Sequence, residues 1–378
     1  MAGILDTVRT MKVRSMRSVN QSQSGLSIVE ALVTMVILMI VLGGVYQIFL
    51  SNSLTYRMQE GVSRLQENGR FAMDFLIRDI RMAGYIGCVS DVQQIKNVLK
   101  DKESYMYNFK ESLYGYDADD SLQYPVEIRE GTWSNDSNSA IPKLDVINKI
   151  KVNNILAGSD ILTIRTAYDD GVSVTKDPSK KHTAATIHTV QNHPFKVADI
   201  ILVSDCEAAA IFQVSSNPQS HSITHNTGTI NTSYGKADPE NETSNLGKSF
   251  NSGSFYWIAT FTYFINLNSS GTSSLYRKRG SEPAQELVEG VESMQVLYGI
   301  DYNGNFNIDN YVTASDVGDW NSVRSVQIGL LMSTVDEIRG VDSDTAVYNV
   351  LGTMIGPAND MRLRRVFTTT IGLRNRLK

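Results

Sequence analysis

The sequence predicts an α+β protein in which one long N-terminal helix packs on a mostly antiparallel β head domain. An uninterrupted apolar run over residues 26–50 continues, without proline, into an amphipathic stretch that ends near residue 82. After Gly84 the pattern changes to short runs of β-branched and aromatic residues separated by turn residues, which is typical of strands. A helix followed by a run of strands is the order of elements that is typical of an α+β fold.

Composition indicates a folded chain whose surface does not favour nucleic acid. The 378 residues suffice for one large domain or two small ones. A hydrophobic content of 42% with 20% charged residues is typical of globular proteins. The formal net charge of the full chain is −5. A basic leader before the apolar run has a net charge of about +3, so the remaining residues have a net charge of about −8. Nucleic-acid binding needs a basic face to neutralise phosphates, and no such partner is expected.

The apolar run 26–50 is long enough to cross a bilayer, since about twenty apolar residues in a helix span its hydrocarbon core. Glu30 is the single charged residue in it. A carboxylate there costs several kcal/mol unless it reaches the interface or finds a partner, so Glu30 is predicted to be functional. Because the basic leader precedes the run, the positive-inside rule predicts a single-pass membrane protein with its head outside the cytoplasm.

Residues 51–83 read as the amphipathic second half of the same helix. Apolar or small residues recur every three or four positions, as they do on a helix face that packs against a core. The recurring positions are Val62, Leu65, Gly69, Ala72, Leu76 and Ile80.

The head is predicted to contain eight strands and two surface insertions. The predicted strands cover residues 160–165, 200–204, 210–214, 255–267, 274–278, 291–300, 323–332 and 366–373, with a hairpin turn over 268–271. The stretches 105–139 and 215–253 are rich in Ser, Asn, Asp and Gly, and their length predicts functional or disordered surface loops.

Cys88 and Cys206 are the only cysteines. Outside the cytoplasm such a pair favours a disulfide over a metal site, and two buried free thiols are the alternative. The five histidines lie in polar, turn-rich sequence without a metal-binding or catalytic motif, so they are predicted to be solvated. No cofactor and no enzymatic activity are expected.

One stretch suggests a metal. Oxygen-bearing side chains alternate as in a calcium loop at Asp301, Asn303, Asn305, Asn307 and Asp309. The glycine is misplaced for such a loop, however, and Val312 stands where the bidentate Glu belongs. A plain Asn-Gly turn explains the same residues, so calcium is only a weak hypothesis.

The N-terminal pattern resembles the class III signal of type IV prepilins: a polar basic leader ending in Gly25, a hydrophobic residue, and Glu30 at the fifth position of the apolar run. The resemblance implies that a prepilin peptidase cleaves after Gly25 and methylates Leu26. Leu26 and Ser27 stand where most members have Phe and Thr. The implied organisation is a cleaved leader (1–25), a transmembrane half-helix (26–50), an amphipathic half-helix (51–83) and an extracytoplasmic head (84–378).

Three further stretches, residues 71–88, 205–214 and 361–375, resemble the PilW family of minor pilins. The resemblance implies a structural role in a complex with other minor pilins and the major pilin. This complex primes pilus assembly, sits at the fibre tip and supports twitching motility and adhesion. In related systems it carries a PilY-type adhesin. Glu30 would pair with the amino terminus of a neighbouring subunit.

The sequence leaves two other functions open. A J-type pseudopilin of type II secretion looks like a shorter relative. A membrane-tethered binding module would capture a ligand on the loops 105–139 and 215–253. The class III signal separates this second alternative from a pilin, because a simple tether needs neither Glu30 nor processing.

The signal predicts a mature chain that begins with methylated Leu26. Gly25→Leu should leave the full-length precursor in the membrane, because the peptidase needs a small residue before the cut. Mass spectrometry of the N-terminal peptide checks this, with Ser24→Ala as the control that is cleaved normally. A mature chain starting at another residue would refute the assignment.

Overall fold

The computed structural model describes residues 27–89, 91, 94–118, 156, 158–175, 185–190, 192–215, 221–228, 239–280 and 282–376. The chain divides into two compact units, Met1–Thr55 and Tyr56–Lys378. Helix α1 (Ile28–Arg81) begins in the first unit and ends in the second.

Local contacts account for both ends of α1. The carbonyl of Ser27 accepts the first helical hydrogen bond, from the backbone N–H of Ala31. Glu30 lies in the first turn and two arginines lie in the last, where each complements the helix dipole. Gly84, with φ +73°, follows the helix and donates its N–H to the carbonyl of Arg165. A residue at positive φ is a common helix terminator, and glycine adopts it without strain.

In the first unit, α1 presents apolar side chains all round. Every large apolar side chain over residues 28–50 is at least 49% exposed. The helix is long and apolar enough to cross a membrane, as the sequence predicts. A helix that is hydrophobic on every face needs an apolar environment on every face.

In the second unit, sixteen strands are named in chain order. They are β1 (Ile95–Asn97), β2 (Leu113–Tyr116), β3 (Ile161–Ser173), β4 (Thr186–His188), β5 (Ile200–Ser204), β6 (Ala209–Gln213), β7 (Ser222–Thr224), β8 (Ser254–Leu267), β9 (Ser273–Arg279), β10 (Gln285–Glu289), β11 (Val291–Ile300), β12 (Asn310–Val312), β13 (Val323–Ser333), β14 (Tyr348–Val350), β15 (Thr353–Ile355) and β16 (Arg364–Gly372).

The larger sheet is built around β8. One edge of β8 pairs with β3. Its other edge pairs with β5 near the start and with β9 further along. The full order is β1-β6-β5-β8-β3-β2, with β9 beside β8 and β10 beside β9. All these pairs are antiparallel except β1 with β6.

The second sheet has the order β12-β11-β13-β16 and is antiparallel throughout. Strand β16 lies at its edge. Two short antiparallel pairs, β4 with β7 and β14 with β15, complete the described strands.

One face of α1 forms the main core together with both sheets. The buried helix residues recur at three- and four-residue spacing, as the sequence predicts, and they are Leu65, Gly69, Ala72, Met73, Leu76 and Ile80. Leu76 and Ile80 are fully buried beside residues of β3, β8, β11, β13 and β16. Val62, predicted for this face, remains 37% exposed.

Helix α1 approaches the second sheet closely at Gly69. A Cβ on this residue would lie 2.5 Å from the ring of Phe367 in β16. Only glycine lets the ring sit against the helix backbone. The ring of Phe367 in turn lies beneath the guanidinium of Arg365, 5.6 Å away.

The fold class and the eight predicted strands are confirmed, with ends shifted by a few residues and β3 much longer than expected. The prediction that 105–139 and 215–253 lie on the surface is wrong for much of their described parts. Leu113 in β2 and Phe250 are almost fully buried, and so is Asn241, which bonds to the backbone of Gln213. The polar composition hid these few anchoring side chains.

Replacing Gly69 tests the contact between α1 and β16. Gly69→Ala gains about 1 kcal/mol of helix propensity but overpacks Phe367, so the free energy of unfolding should fall by about 1 kcal/mol net. Adding Phe367→Ala should remove the clash, so a double-mutant cycle should show coupling above about 0.5 kcal/mol. Chemical denaturation of the detergent-solubilised chain measures this.

Gly44→Ala is the control on the same helix, because nothing lies within 4 Å of a Cβ there. Its head should unfold as the wild type does. Strict additivity of Gly69→Ala and Phe367→Ala would contradict the packing.

Candidate functional site

Glu30 is an exposed carboxylate in the first turn of α1, and it is the only charged residue of the helix before residue 51. The hydroxyl of Thr34, one turn later, donates to the carbonyls of Glu30 (2.7 Å) and Ala31 (2.9 Å). The helix itself therefore satisfies the Thr34 hydroxyl, and the carboxylate of Glu30 is the charged group of this surface. Gly25 and Leu26 lie outside the described residues, so cleavage and methylation remain predictions.

Cys88 and Cys206 form a disulfide, the pairing that the sequence analysis expects, with their Cα atoms 4.7 Å apart. Cys88 follows the end of α1 closely, and Cys206 lies in the turn between β5 and β6. The bond therefore links the chain just after the helix to the larger sheet. Both cysteines are exposed.

Charged side chains brace the turn that holds Cys206. The carboxylate of Asp205 accepts from the backbone N–H groups of Glu207 (3.0 Å) and Ala208 (2.9 Å). Lys248 lies 2.8 Å from Asp205 and 2.6 Å from Glu207. Burial works to raise the pKa of Asp205, but these donors hold it below its ordinary value. An open, polar groove of about 700 Å³ surrounds the turn and the disulfide.

A second groove, of about 600 Å³, runs along α1 within the second unit. Arg57, Glu60 and Arg64 line it from the helix, and Asp336 and Glu337 line it from the connection after β13. Glu60 and Arg64 form an exposed ion pair at 2.7 Å. Exposed pairs of this kind contribute little stability, so the groove is a charged surface beside the helix.

The stretch 301–309 is a tight turn held by its own carboxylates. Asp301 is 3% exposed. It accepts from the backbone N–H groups of Gly304 (2.7 Å) and Phe306 (3.0 Å) and pairs with Arg324 at 3.1 Å. Burial works to raise the pKa of Asp301, but these donors lower it. Asp309 accepts from the backbone N–H of Tyr302 at 2.8 Å.

This geometry matches the turn explanation of 301–309. Calcium would have to displace the protein donors that Asp301 and Asp309 already bind. In the part of the chain that the structure describes, no three His, Cys, Asp or Glu side chains are grouped so that they could hold a metal ion.

Arg364 is the centre of an ion network that sequence reasoning missed. Its guanidinium lies 2.7 Å from Glu292 in β11, 3.0 Å from Asp344 and 2.6 Å from Asp360. The Arg364 and Glu292 side chains are each only 2% exposed. The network ties the start of β16 to β11 and to the connection that precedes β16. The dense basic pattern of residues 361–376 was visible in the sequence, but its acidic partners were not.

The ion network shifts the pKa values of Arg364 and of the neighbouring Tyr348 hydroxyl. Burial alone would lower the pKa of Arg364, but Asp360 and Glu292 raise it above its ordinary value. Burial and the acceptor Asp344 raise the pKa of the Tyr348 hydroxyl to about 12. The Arg364 guanidinium therefore stays charged and the Tyr348 hydroxyl stays protonated around neutral pH.

Arg376 fixes the C-terminal end of the chain in a different way. It is buried and donates to the carbonyls of Trp320 and Val323 and, at 2.7 Å, to the hydroxyl of Ser112. Burial lowers its pKa to about 10. The guanidinium stays charged at neutral pH and is satisfied by neutral acceptors. Its role is to join the chain end to the two segments that contain Ser112 and Trp320.

His225 corrects the prediction that the histidines are solvated. It is 2% exposed, and its ring lies 5.0 Å from that of Phe212. Its Nδ1 has no hydrogen-bond partner among the described residues. Burial lowers the pKa of His225 to about 4, so the imidazole is neutral at physiological pH. Pairing of β4 with β7, which the sequence did not reveal, places it in the core.

The described residues therefore form an exposed apolar helix with one carboxylate and a head fixed by a disulfide and buried ion contacts. In the head, the charged side chains of Asp205, Asp301 and Arg364 are each held by ion pairs or hydrogen bonds. The apolar part of α1 is long enough to insert into a lipid bilayer.

Comparison with known proteins agrees with this geometry. A family model described as Type IV Pilus-assembly protein W matches residues 262–375, from the second half of β8 through β16. A model described as a prokaryotic N-terminal methylation motif matches residues 20–46, which include the start of α1 and Glu30. No curated protein and no solved structure matches the chain.

The buried His225 predicts a specific loss of stability in mild acid. Its pKa is about 4 in the folded chain and about 6.5 in an unfolded one. Between these two pKa values the His225 imidazole is therefore protonated in the unfolded chain and neutral in the folded chain. The contribution of neutral His225 to the free energy of unfolding is fully present above pH 6.5, and it falls by about 3 kcal/mol as the pH is lowered towards 4.

His225→Gln should flatten the fall between pH 6.5 and 4 relative to the wild type. Denaturant titrations of the full chain in detergent at several pH values measure it. His221→Gln is the control, because this imidazole is exposed in the same segment. Identical pH profiles for the wild type and His225→Gln would contradict the burial of a neutral imidazole.

Proposed function

We propose that the chain, a prepilin of the PilW type that takes part in type IV pilus assembly as a minor pilin, acts without catalysis in the complex that primes the fibre and stays at its tip. Proteins of this family interact with other pilus components and with the prepilin peptidase. The observation that carries the proposal is α1, a single helix that joins an exposed apolar surface with one carboxylate to a buried face inside the head.

The processing that we propose follows from this helix. The peptidase cleaves after Gly25 and methylates Leu26, which leaves Glu30 as the fifth residue of the mature chain. Residues 26–50 hold the subunit in the inner membrane with the head, residues 84–378, in the periplasm. The same apolar surface then passes from lipid to the helical core of a fibre, because both environments are apolar.

We propose that Glu30 makes the packing of α1 against a neighbouring subunit specific, which apolar contacts alone do not do. An unpaired carboxylate in an apolar environment costs several kcal/mol, and an opposite charge relieves that cost. The methylated ammonium of a neighbouring subunit is a cation of the right kind at the right depth. Pairing would also set the axial register, since only one stagger of two helices brings the two charges together.

The head supplies the contacts above the membrane. We propose that it binds other minor pilins and the major pilin, and that the assembled complex carries a PilY-type adhesin. The disulfide and the Arg364 network keep the head rigid, so contacts made in the periplasm persist when the fibre emerges. Pilus biogenesis, twitching motility and adhesion follow from this role.

The proposed function predicts that deleting the gene lowers surface piliation and twitching. Complementation with the wild-type gene should restore both. Counting fibres by electron microscopy and measuring twitching zones test it. Normal piliation in the deletion strain, with secretion lost instead, would favour the J-type pseudopilin.

Glu30→Leu separates registration from simple anchoring. The variant should insert and be cleaved, because its helix is more apolar, but its incorporation into fibres should fall at least tenfold. Thr34→Val is the matched control, one turn away, since the Thr34 hydroxyl bonds within the helix. Quantitative immunoblots of sheared fibres and of membranes measure both variants. Normal incorporation of Glu30→Leu would reduce Glu30 to a residue that reaches the membrane interface.

A further inference from the structure

Strand β16 leaves one edge of the second sheet open within the part of the chain that the structure describes. It pairs with β13 over its whole length, from Ser325 opposite Gly372 to Ser333 opposite Arg364, without a bulge. The flanking hydrogen bonds, from Leu373 N–H to the Arg324 carbonyl and from Thr334 N–H to the Leu363 carbonyl, fix which residues face β13.

In an antiparallel pair, the backbone groups of successive residues point alternately toward the partner strand and away from it. Residues 365, 367, 369 and 371 exchange their backbone hydrogen bonds with β13. The backbone N–H and C=O groups of the intervening residues point away from the sheet, at Arg364, Val366, Thr368, Thr370 and Gly372. Burial agrees with an open edge, since Ile371 is the only residue of β16 that is buried as a whole, backbone included, whereas almost all of β13 is buried.

The other described sheet edges are short or irregular. Strands β1 and β12 have three residues each, and β2 has four. Strand β10 has five residues and a register shift between Glu286 and Val288. Short or bulged edges resist the addition of another strand. Strand β16 has nine residues and lacks both protections.

Side chains do not protect the β16 edge either. Proteins commonly block an open edge with lysine, proline or an inward charge. Residues 366–372 contain no charged residue and no proline, and three consecutive threonines favour extended structure. Arg364, at the start of the strand, is already engaged by three carboxylates.

The edge is also rigid before any partner arrives. The Arg364 network fixes one end of β16, and the contact of Phe367 with Gly69 fixes its middle against α1. A strand that adds to a preorganised edge gains main-chain hydrogen bonds without ordering the receiving strand.

We propose that the open edge of β16 accepts an extended strand from a neighbouring pilus subunit, which continues the second sheet across the subunit boundary. This inference rests on the proposed function. The exposed arginines Arg365 and Arg374 stand at the two ends of β16. The complementary strand therefore has an uncharged middle and acidic residues near its ends.

Thr368→Pro tests the edge in the cell. Proline removes the outward N–H of residue 368, but no hydrogen bond to β13 is lost. The variant should accumulate as processed protein with a melting temperature near that of the wild type, yet piliation should fall to the level of the deletion strain. Thr368→Val, which keeps the N–H and changes only the side chain, should support normal piliation.

These outcomes separate the two proposals. Normal piliation in the deletion strain would refute the proposed function. Loss of piliation on deletion, followed by full rescue with stable Thr368→Pro, would refute strand addition alone.

If Thr368→Pro misfolds, hydrogen exchange of the chain without this substitution still tests strand addition. The amides of Val366, Thr368 and Thr370 are compared in the detergent-solubilised full chain and in its complex co-purified with the other minor pilins of the same cells. We expect rapid exchange alone and at least tenfold slower exchange in the complex.

Three exchange results would overturn strand addition. Protection in the chain alone at every concentration would mean that the chain covers its own edge. Protection that grows with concentration would mean pairing with a second copy. Rapid exchange in both samples would mean that the edge stays open.

Discussion

The packing of one face of α1 against both sheets is the interaction on which the head depends. Leu76 and Ile80 are fully buried in that interface, and burial of each such side chain contributes about 1.5–3 kcal/mol. The same helix exposes apolar side chains on every face over residues 28–50. One continuous element therefore satisfies two environments, and the change from all-round apolar to one-sided apolar marks where the head begins.

Polar contacts hold the end of α1 to the larger sheet and to the chain terminus. Asp79 accepts from the hydroxyl of Tyr263 in β8 and pairs with Arg277 in β9 at 3.2 Å. The amide of Asn375 donates to the carbonyl of Ala83 at 3.2 Å. With the nearby disulfide, these contacts make the helix end and the C-terminal segment one structural unit. A force applied along α1 in a growing fibre would reach the sheets through these contacts.

The features that the sequence revealed are those with local signals. Helix α1 follows from hydropathy and the absence of proline, and long strands such as β8 and β11 from their β-branched and aromatic runs. The disulfide follows from cysteine count and compartment. Strands of three or four residues, such as β1 and β4, depend on partners far along the chain and give no periodic signal.

In the candidate site, too, residues with a local sequence signal were predictable, whereas residues that depend on distant partners were not. Glu30 was identifiable because a charge within an apolar run is conspicuous. The partners of Arg364 lie as far as 72 residues away in sequence, and the burial of His225 depends on two short strands. The open edge of β16 is a property of the sheet order, since the same residues would be protected in a central strand.

We propose that this subunit occupies the tip of a type IV pilus. Immunogold electron microscopy with antibodies against the head tests this position, with the deletion strain as the background control. Gold particles should label the free ends of fibres, with few along their length. Uniform labelling along the fibres, or labelling confined to the cell envelope, would refute a tip position.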